Sequence, residues 1–270
     1  MKVFVIAILL VFVVFPAAAQ ESLGLTTNSK EPIEVTADGS LEWHRNDTRF
    51  MAKGNALAKQ GTASIAADAL TANYRDGASS SMEIYYIEAA GHAVLTSQDN
   101  VAYGDLATYD LDKGLAILTG EGLKMVAPDQ TITAEEQFEY HMNEGKIYAI
   151  GRPKVTRPKA NGAGVDTLEA DKLAATLKEN ADGKRVVDTL EAFDNVVIIT
   201  PTEKITGAYG IYRAGSNKAE LTGKVKILRG PNTLEGERAE VDLTTNISRI
   251  FGSKTQGGGR VKGVFYPNSK

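Results

Sequence analysis

The sequence predicts an all-β chain: an antiparallel β-jelly-roll-like solenoid of repeated strand-turn-strand units, open at its ends. Three observations predict it. A short motif recurs seven times, turn-forming residues fall between the halves of each recurrence, and extended helical periodicity is absent from the chain.

The recurring motif opens each unit with an apolar residue, a small residue two later and, in six of the seven, an acid three later. The copies are Val35-Thr36-Ala37-Asp38, Ile65-Ala66-Ala67-Asp68, Ala102-Tyr103-Gly104-Asp105, Ile132-Thr133-Ala134-Glu135, Leu168-Glu169-Ala170-Asp171, Ile205-Thr206-Gly207-Ala208 and Leu234-Glu235-Gly236-Glu237. Their starts are spaced by 30, 37, 30, 36, 37 and 29 residues. A second half recurs as glycine followed by a polar residue: Gly54-Asn55, Gly91-His92, Gly120-Glu121, Gly151-Arg152 and Gly223-Lys224, with Asp194-Asn195 in the fifth unit. The second and fifth units carry about seven extra residues between their halves. Clusters such as Arg45-Asn46-Asp47, Asp112-Lys113-Gly114, Asn143-Glu144-Gly145 and Gly215-Ser216-Asn217 separate the halves and supply the backbone conformations that reversals need.

Alternation then assigns an inward face unit by unit. In the first, Val35, Phe50, Ala52 and Ala56 face inward, with Lys53, Asn55 and Lys59 on the other side. The second contributes Ile65, Ile87, Ala89, Ala93 and Leu95, and the third Leu118. The fourth contributes Ile132, Ile147, Ala149 and Val155, and the fifth Leu168, Leu190, Val196 and Ile198. The sixth adds Ile205, Leu221, Val225 and Ile227, and the seventh Leu234. The most helix-like stretch, Leu168 to Lys178, falls in register with the repeat and ends in an Asn-Ala-Asp-Gly turn, so it is read as strand. Units with one apolar face must stack to cover it, with two facing walls and the apolar side chains between them. Because alanine, glycine and valine dominate that face, either a cleft along the stack or dense packing is compatible with the composition.

The ends of the chain read differently. Lys2, an apolar run of 13 residues from Val3 to Phe15, Pro16 and Ala17 to Ala19 read as a secretory signal cleaved after Ala19, the run being short of the ~20 residues that span a bilayer. An uncleaved anchor is the alternative. Residues 20–31 form an N-terminal segment, residues 32–253 one repeat domain, and 254–270 a glycine-rich tail, either disordered or an edge cover that limits polymerisation.

The 270 residues include no cysteine, which excludes a disulfide scaffold, a thiolate zinc site and a cysteine nucleophile. A net charge of −4 argues against nucleic-acid binding through a basic excess. His44 and His141 share one repeat offset, but units three apart lie several ~4.8 Å strand spacings from one another, so no shared metal site and no cofactor is expected. The acid row lacks the nonapeptide spacing of calcium-binding β-rolls and reads as turn-stabilising. No catalytic residues are assigned, since G-x-S-x-G, P-loop and H-E-x-x-H patterns are all missing. Arg152, Lys154, Arg157 and Lys159, broken by Pro153 and Pro158, form the densest basic patch, either a contact for anionic phosphates or a solvated loop. Trp43 is expected to bury at the rim of the first unit.

The strand Ile132-Thr133-Ala134-Glu135 running on to Tyr140, its counterpart Ala102-Tyr103-Gly104-Asp105 to Tyr109, and the glycine-led strands that follow resemble the OstA-like family, over about residues 32–253. The resemblance implies a periplasmic β-jelly roll, not an enzyme, whose inward face holds the acyl chains of lipopolysaccharide while the headgroup stays in water. It also implies end-to-end strand addition, to further copies and to LptC-like and LptD-like proteins, in a bridge between inner and outer membranes. A secreted β-solenoid enzyme acting on polysaccharide and an LptC-like membrane-tethered partner remain the alternatives.

Overall fold

The computed structural model describes residues 31–77, 82–159, 162, 164–181, 185–245, 247–253 and 259–267. The expected signal segment with its cleavage point after Ala19 lies outside these residues, as do Gly257 and Gly258. The described chain is almost entirely strand: β1 (Glu34–Thr36), β2 (Ser40–His44), β3 (Arg49–Gln60), β4 (Ala63–Asp76), β5 (Met82–Ser97), β6 (Asn100–Asp110), β7 (Leu115–Thr119), β8 (Lys124–Ala127), β9 (Gln130–Thr133) and β10 (Gln137–His141). There follow β11 (Lys146–Ile150), β12 (Lys154–Pro158), β13 (Val165–Glu169), β14 (Lys172–Glu179), β15 (Arg185–Ile199), β16 (Lys204–Arg213), β17 (Lys218–Arg229), β18 (Asn232–Asp242), β19 (Ile247–Phe251) and β20 (Lys262–Val264). One 3-10 turn, Ala214–Ser216, joins β16 to β17. The stretch from Leu168 is strand, as its place in the repeat requires.

The described residues gather into two compact units, one drawn from 31–151 with 178–186, the other from 152–177 with 187–267. In the first, antiparallel neighbours set side chains into continuous rows. One row runs Leu41, Ala52, Leu70, Ala89, Ala107, Leu118, Phe138, Ala149. A second, on the other limb of the bent strands, runs Val35, Ala58, Ile65, Leu95, Ala102, Met125, Ile132. Alanines interrupt the larger side chains along both rows, so within them bulky neighbours meet directly only at Leu118–Phe138, Ile65–Leu95 and Met125–Ile132. In the second unit, Leu168, Ile198, Ile205, Ile227 and Leu234 make one row and Ala192, Gly210, Leu221, Ala239 and Ile250 another. Leu168, Ile198, Ile205 and Leu221 are each 1% exposed or less. Burying a side chain of this size stabilises by roughly 1.5–3 kcal/mol.

The two limbs meet at a corner made by the two recurring motifs. Pairing of β3 with β4 skips between Lys53 and Ala56, and that of β5 with β6 between Ala90 and Ala93. The skipped residues are Gly54-Asn55 and Gly91-His92, with φ of 83° and 44°, and 80° and 48°. Two successive left-handed residues bend the strand, and glycine is the residue that enters this conformation without steric cost. On the facing strand the acid and the residue after it both point outward, as with Asp105 and Leu106 between buried Ala102 and Ala107. The acid then holds the next corner: Asn55 donates to Asp38 at 2.8 Å, the Glu121 amide to Asp105 at 2.7 Å, and Asn195 to Asp171 at 2.8 Å. His92 and Asp68 stand 2.9 Å apart.

One expectation of burial needs correction, and one inward-facing residue is left uncovered. Val35 sits on the inward side by its pairing with Ala58, yet it is 39% exposed. Trp43, expected to bury, is 48% exposed, with its indole N–H donating to Tyr74 Oη at 2.8 Å. The reason is shared. β1 and β2 pair only with β3 among the described residues, so no further strand covers their inward side chains. Phe50, Leu95 and Leu234 are half-buried rather than closed off.

Candidate functional site

Between the limbs of the first unit the alternating rows leave an apolar cavity of about 50 Å³. Of the residues expected on the inward face, Ile65, Ile87, Ala89, Leu95, Leu118 and Ile147 line it. Their company includes Ala102, Ala107, Tyr109, Ala116, Met125, Phe138 and Tyr140, which alternation alone did not single out. The signal for the two tyrosines was present in the repeat, where each closes the strand that opens with the small-acid motif. Pairing explains why they converge: Ala116 of β7 lies opposite Tyr109 on one side and Tyr140 on the other. A small residue between two rings lets both lean over it. Burial, above all, raises the Tyr109 phenol above its ordinary pKa, keeping it protonated.

The remaining expected residues pack elsewhere. Ala52, Ala56, Ala93, Ile132 and Ala149 are buried in the first unit without reaching the cavity wall. Val155, Leu168, Leu190, Val196, Ile198, Ile205, Leu221, Val225 and Ile227 form the closed core of the second. The basic patch is matched by acids on the adjoining strand, because β12 pairs with β13 in a register that sets Lys154 opposite Glu169 and Arg157 opposite Asp166. Lys154 lies 2.8 Å from Glu169, and Lys159 3.0 Å from buried Asp166. Arg152 sits at a corner with φ 47°. Part of the patch is thus committed to ion pairs that the linear sequence did not reveal.

Each end of the strand array offers an edge. At the first, β1 and β2 leave Ile33, Val35, Leu41 and Trp43 exposed. At the other, β19 and β20 both pair with β18, on Arg238–Asp242 and on Thr233–Glu235 respectively. The tail therefore contributes a strand, with Val264, Phe265 and Tyr266 exposed beside it. His44 and His141 make the same contact in their units, each 2.7 Å from a glutamate two residues earlier. Among the described residues no three His, Cys, Asp or Glu side chains could hold a metal ion, and no helix is long and apolar enough to cross a membrane.

No curated protein matches the chain. Among solved structures it is similar to LptH, the LptA homologous periplasmic component of the conserved lipopolysaccharide transport device from Pseudomonas aeruginosa. That similarity is at 14% identity and a TM-score of 0.22, covering 88% of this chain and 96% of that one. The family described as LptA/(LptD N-terminal domain) LPS transport protein matches twice, over residues 34–146 and 132–247. Those two matches together run without a gap over well over half of the 270 residues, from the first repeat into the seventh, and the chain belongs to the LptA/(LptD N-terminal domain) LPS transport protein family.

Proposed function

We propose that this protein carries lipopolysaccharide through the periplasm as part of a bridge between the membranes, with acyl chains between the limbs of the first unit and the headgroup in water. The observation that supports it is the cavity lined by apolar side chains in a chain of a lipopolysaccharide transport family. Apolar chains gain ~0.8 kcal/mol for each buried CH₂, so a multi-acyl lipid is drawn into such a core and its sugars are not. The cavity of about 50 Å³ is well below the ~150 Å³ that admits benzene, so loading requires the limbs to part. The small residues Ala89, Ala102, Ala107 and Ala116 on its wall reduce the packing lost when they do. In this reading residues 32–253 are the lipid-carrying domain, exported by a signal removed after Ala19. The edges at β1–β2 and β19–β20 join, by strand addition, further copies and LptC-like and LptD-like partners.

A photocrosslinking residue placed at Ile87 or Leu118 should capture lipopolysaccharide in cells, and one at outward Lys53 should not. Equal capture at all three positions, or capture at Lys53 alone, would sink the proposal.

A further inference from the structure

Arg185, at the start of β15, stands against the cavity tyrosines. Its Nη1 donates to Tyr140 Oη at 2.6 Å and to the Met142 carbonyl at 3.0 Å. Tyr109 donates to Met142 Sδ at 2.9 Å, so both phenols and the guanidinium meet around one methionine. No carboxylate lies within ion-pairing distance of Arg185 among the described residues, whereas Arg75 of the same unit pairs with both Glu83 and Asp112. Tyr140 is 6% exposed, and its hydroxyl accepts from Arg185 while its own proton is given to no other group among the described residues. The carboxylate on the cavity lining, Glu139, is held by His141 at 2.7 Å and by Gln137. A half-buried guanidinium whose second terminal nitrogen has no partner among the described residues, beside a phenol whose proton has none among them either, is a pair of donors aimed at an anionic oxygen.

The second unit supplies a contrast. There Tyr212 lies opposite Ala219, and Ala219 opposite Val241, repeating the Tyr109–Ala116–Tyr140 row with valine in place of the second tyrosine. Tyr212 donates instead to Asn217 at 3.0 Å. The donor pair therefore lies beside the apolar cavity of the first unit.

We propose that Arg185 and Tyr140 form an anion-anchoring site at the edge of the apolar cavity, binding a phosphate group of a lipid whose acyl chains occupy that cavity. The proposal rests on the lipid-carrying reading above and adds to it a fixed depth of insertion, since the phosphate can seat at Arg185 only when the chains lie along the tyrosine row. Guanidinium suits this task because its planar fork meets two phosphate oxygens at once.

The test measures binding of the full chain to lipid A carrying its phosphates, to the same lipid enzymatically dephosphorylated, and to inorganic phosphate as competitor. The wild-type protein should prefer the phosphorylated lipid by about tenfold or more. Arg185→Met should remove that preference while leaving affinity for the dephosphorylated lipid unchanged. Arg185→Lys should restore part of it, and Tyr140→Phe should reduce it without abolishing it. Thermal unfolding of each variant separates a binding loss from a folding loss. If Arg185→Met and Arg185→Lys both bind the two lipids as wild type does, or weaken both equally, Arg185 anchors no phosphate. Full competition by millimolar inorganic phosphate would mark a free-anion site and overturn the lipid assignment. Binding of neither lipid by the wild-type chain would overturn the lipid-carrying reading itself, an outcome distinct from binding both alike.

Discussion

Glu42 and Glu203 carry the same side chain and respond to pH with opposite sign. Hydrogen bonds from His44, then Lys53 and Ser40, hold Glu42 down to about 2, against an ordinary value of 4.5. Its contribution is present above the ordinary value and is lost as pH falls towards 2. Glu203 has a side chain only 1% exposed, with Arg229 at 3.7 Å, and burial raises its pKa. The folded state then binds the proton more tightly than the unfolded chain, so stability falls as pH rises from 4.5 through the raised value. Glu203→Gln should melt higher than wild type at neutral pH, with the two curves converging below the ordinary carboxylate value. Glu42→Gln should lower the neutral melting point slightly, the carboxylate being solvent-screened, with its curve meeting that of wild type as pH falls towards 2. Denaturation followed across pH checks both, and identical pH slopes for Glu203→Gln and wild type would refute the first. Neither environment was readable from the chain. Glu203 follows Pro201-Thr202 in what looks like an exposed reversal, and only the fold reveals that the Thr200 and Glu203 backbones bond to each other at 2.9 Å in a buried hairpin end.

At the scale of the element, the repeated glycine-polar pair was legible as a repeat but not as a corner. Ala52 and Ala56 are four residues apart, so the inward phase of β3 reads straight through Gly54-Asn55. Only on the facing strand does the phase slip, where buried Ala67 and Leu70 are three apart. The corner also sets a steric demand. A Cβ on Gly223, at φ 82°, would come within 2.5 Å of Ala208 Cβ, whereas one on Gly230, at φ 54°, would meet nothing within 4 Å. Gly230→Ala should therefore cost only the left-handed backbone, about 1–2 kcal/mol, and Gly223→Ala about 2–4 kcal/mol. Chemical denaturation gives both figures, and equal losses would show that close stacking at the corner is not what selects glycine.

For the whole chain, the two family matches restate a feature of the repeats. The second and fifth units, the long ones, fall at corresponding places in the matches at 34–146 and 132–247. Their spacing was visible in the sequence, but its meaning as a tandem pair was not, because seven similar units mask a period of three. The tail was less legible still. Nothing in a glycine run announces that Lys262–Val264 will pair with Thr233–Glu235. Removing residues 254–270 uncovers that half of β18 and should increase self-association, as measured by sedimentation. A truncated protein that stays as monomeric as the full chain would show that β20 guards nothing.

The edges themselves have a geometric consequence. β3 and β18 are each partnered in two pieces, of three and five residues, lying on either side of a corner. A flat strand from an unrelated chain can align with one piece but runs out of register at the bend, gaining too few backbone bonds to hold. A newcomer that bends at the same position can match both pieces at once. Kinship is thus checked by curvature before any side chain is read, and a sheet with exposed edges avoids indiscriminate aggregation without sealing itself shut.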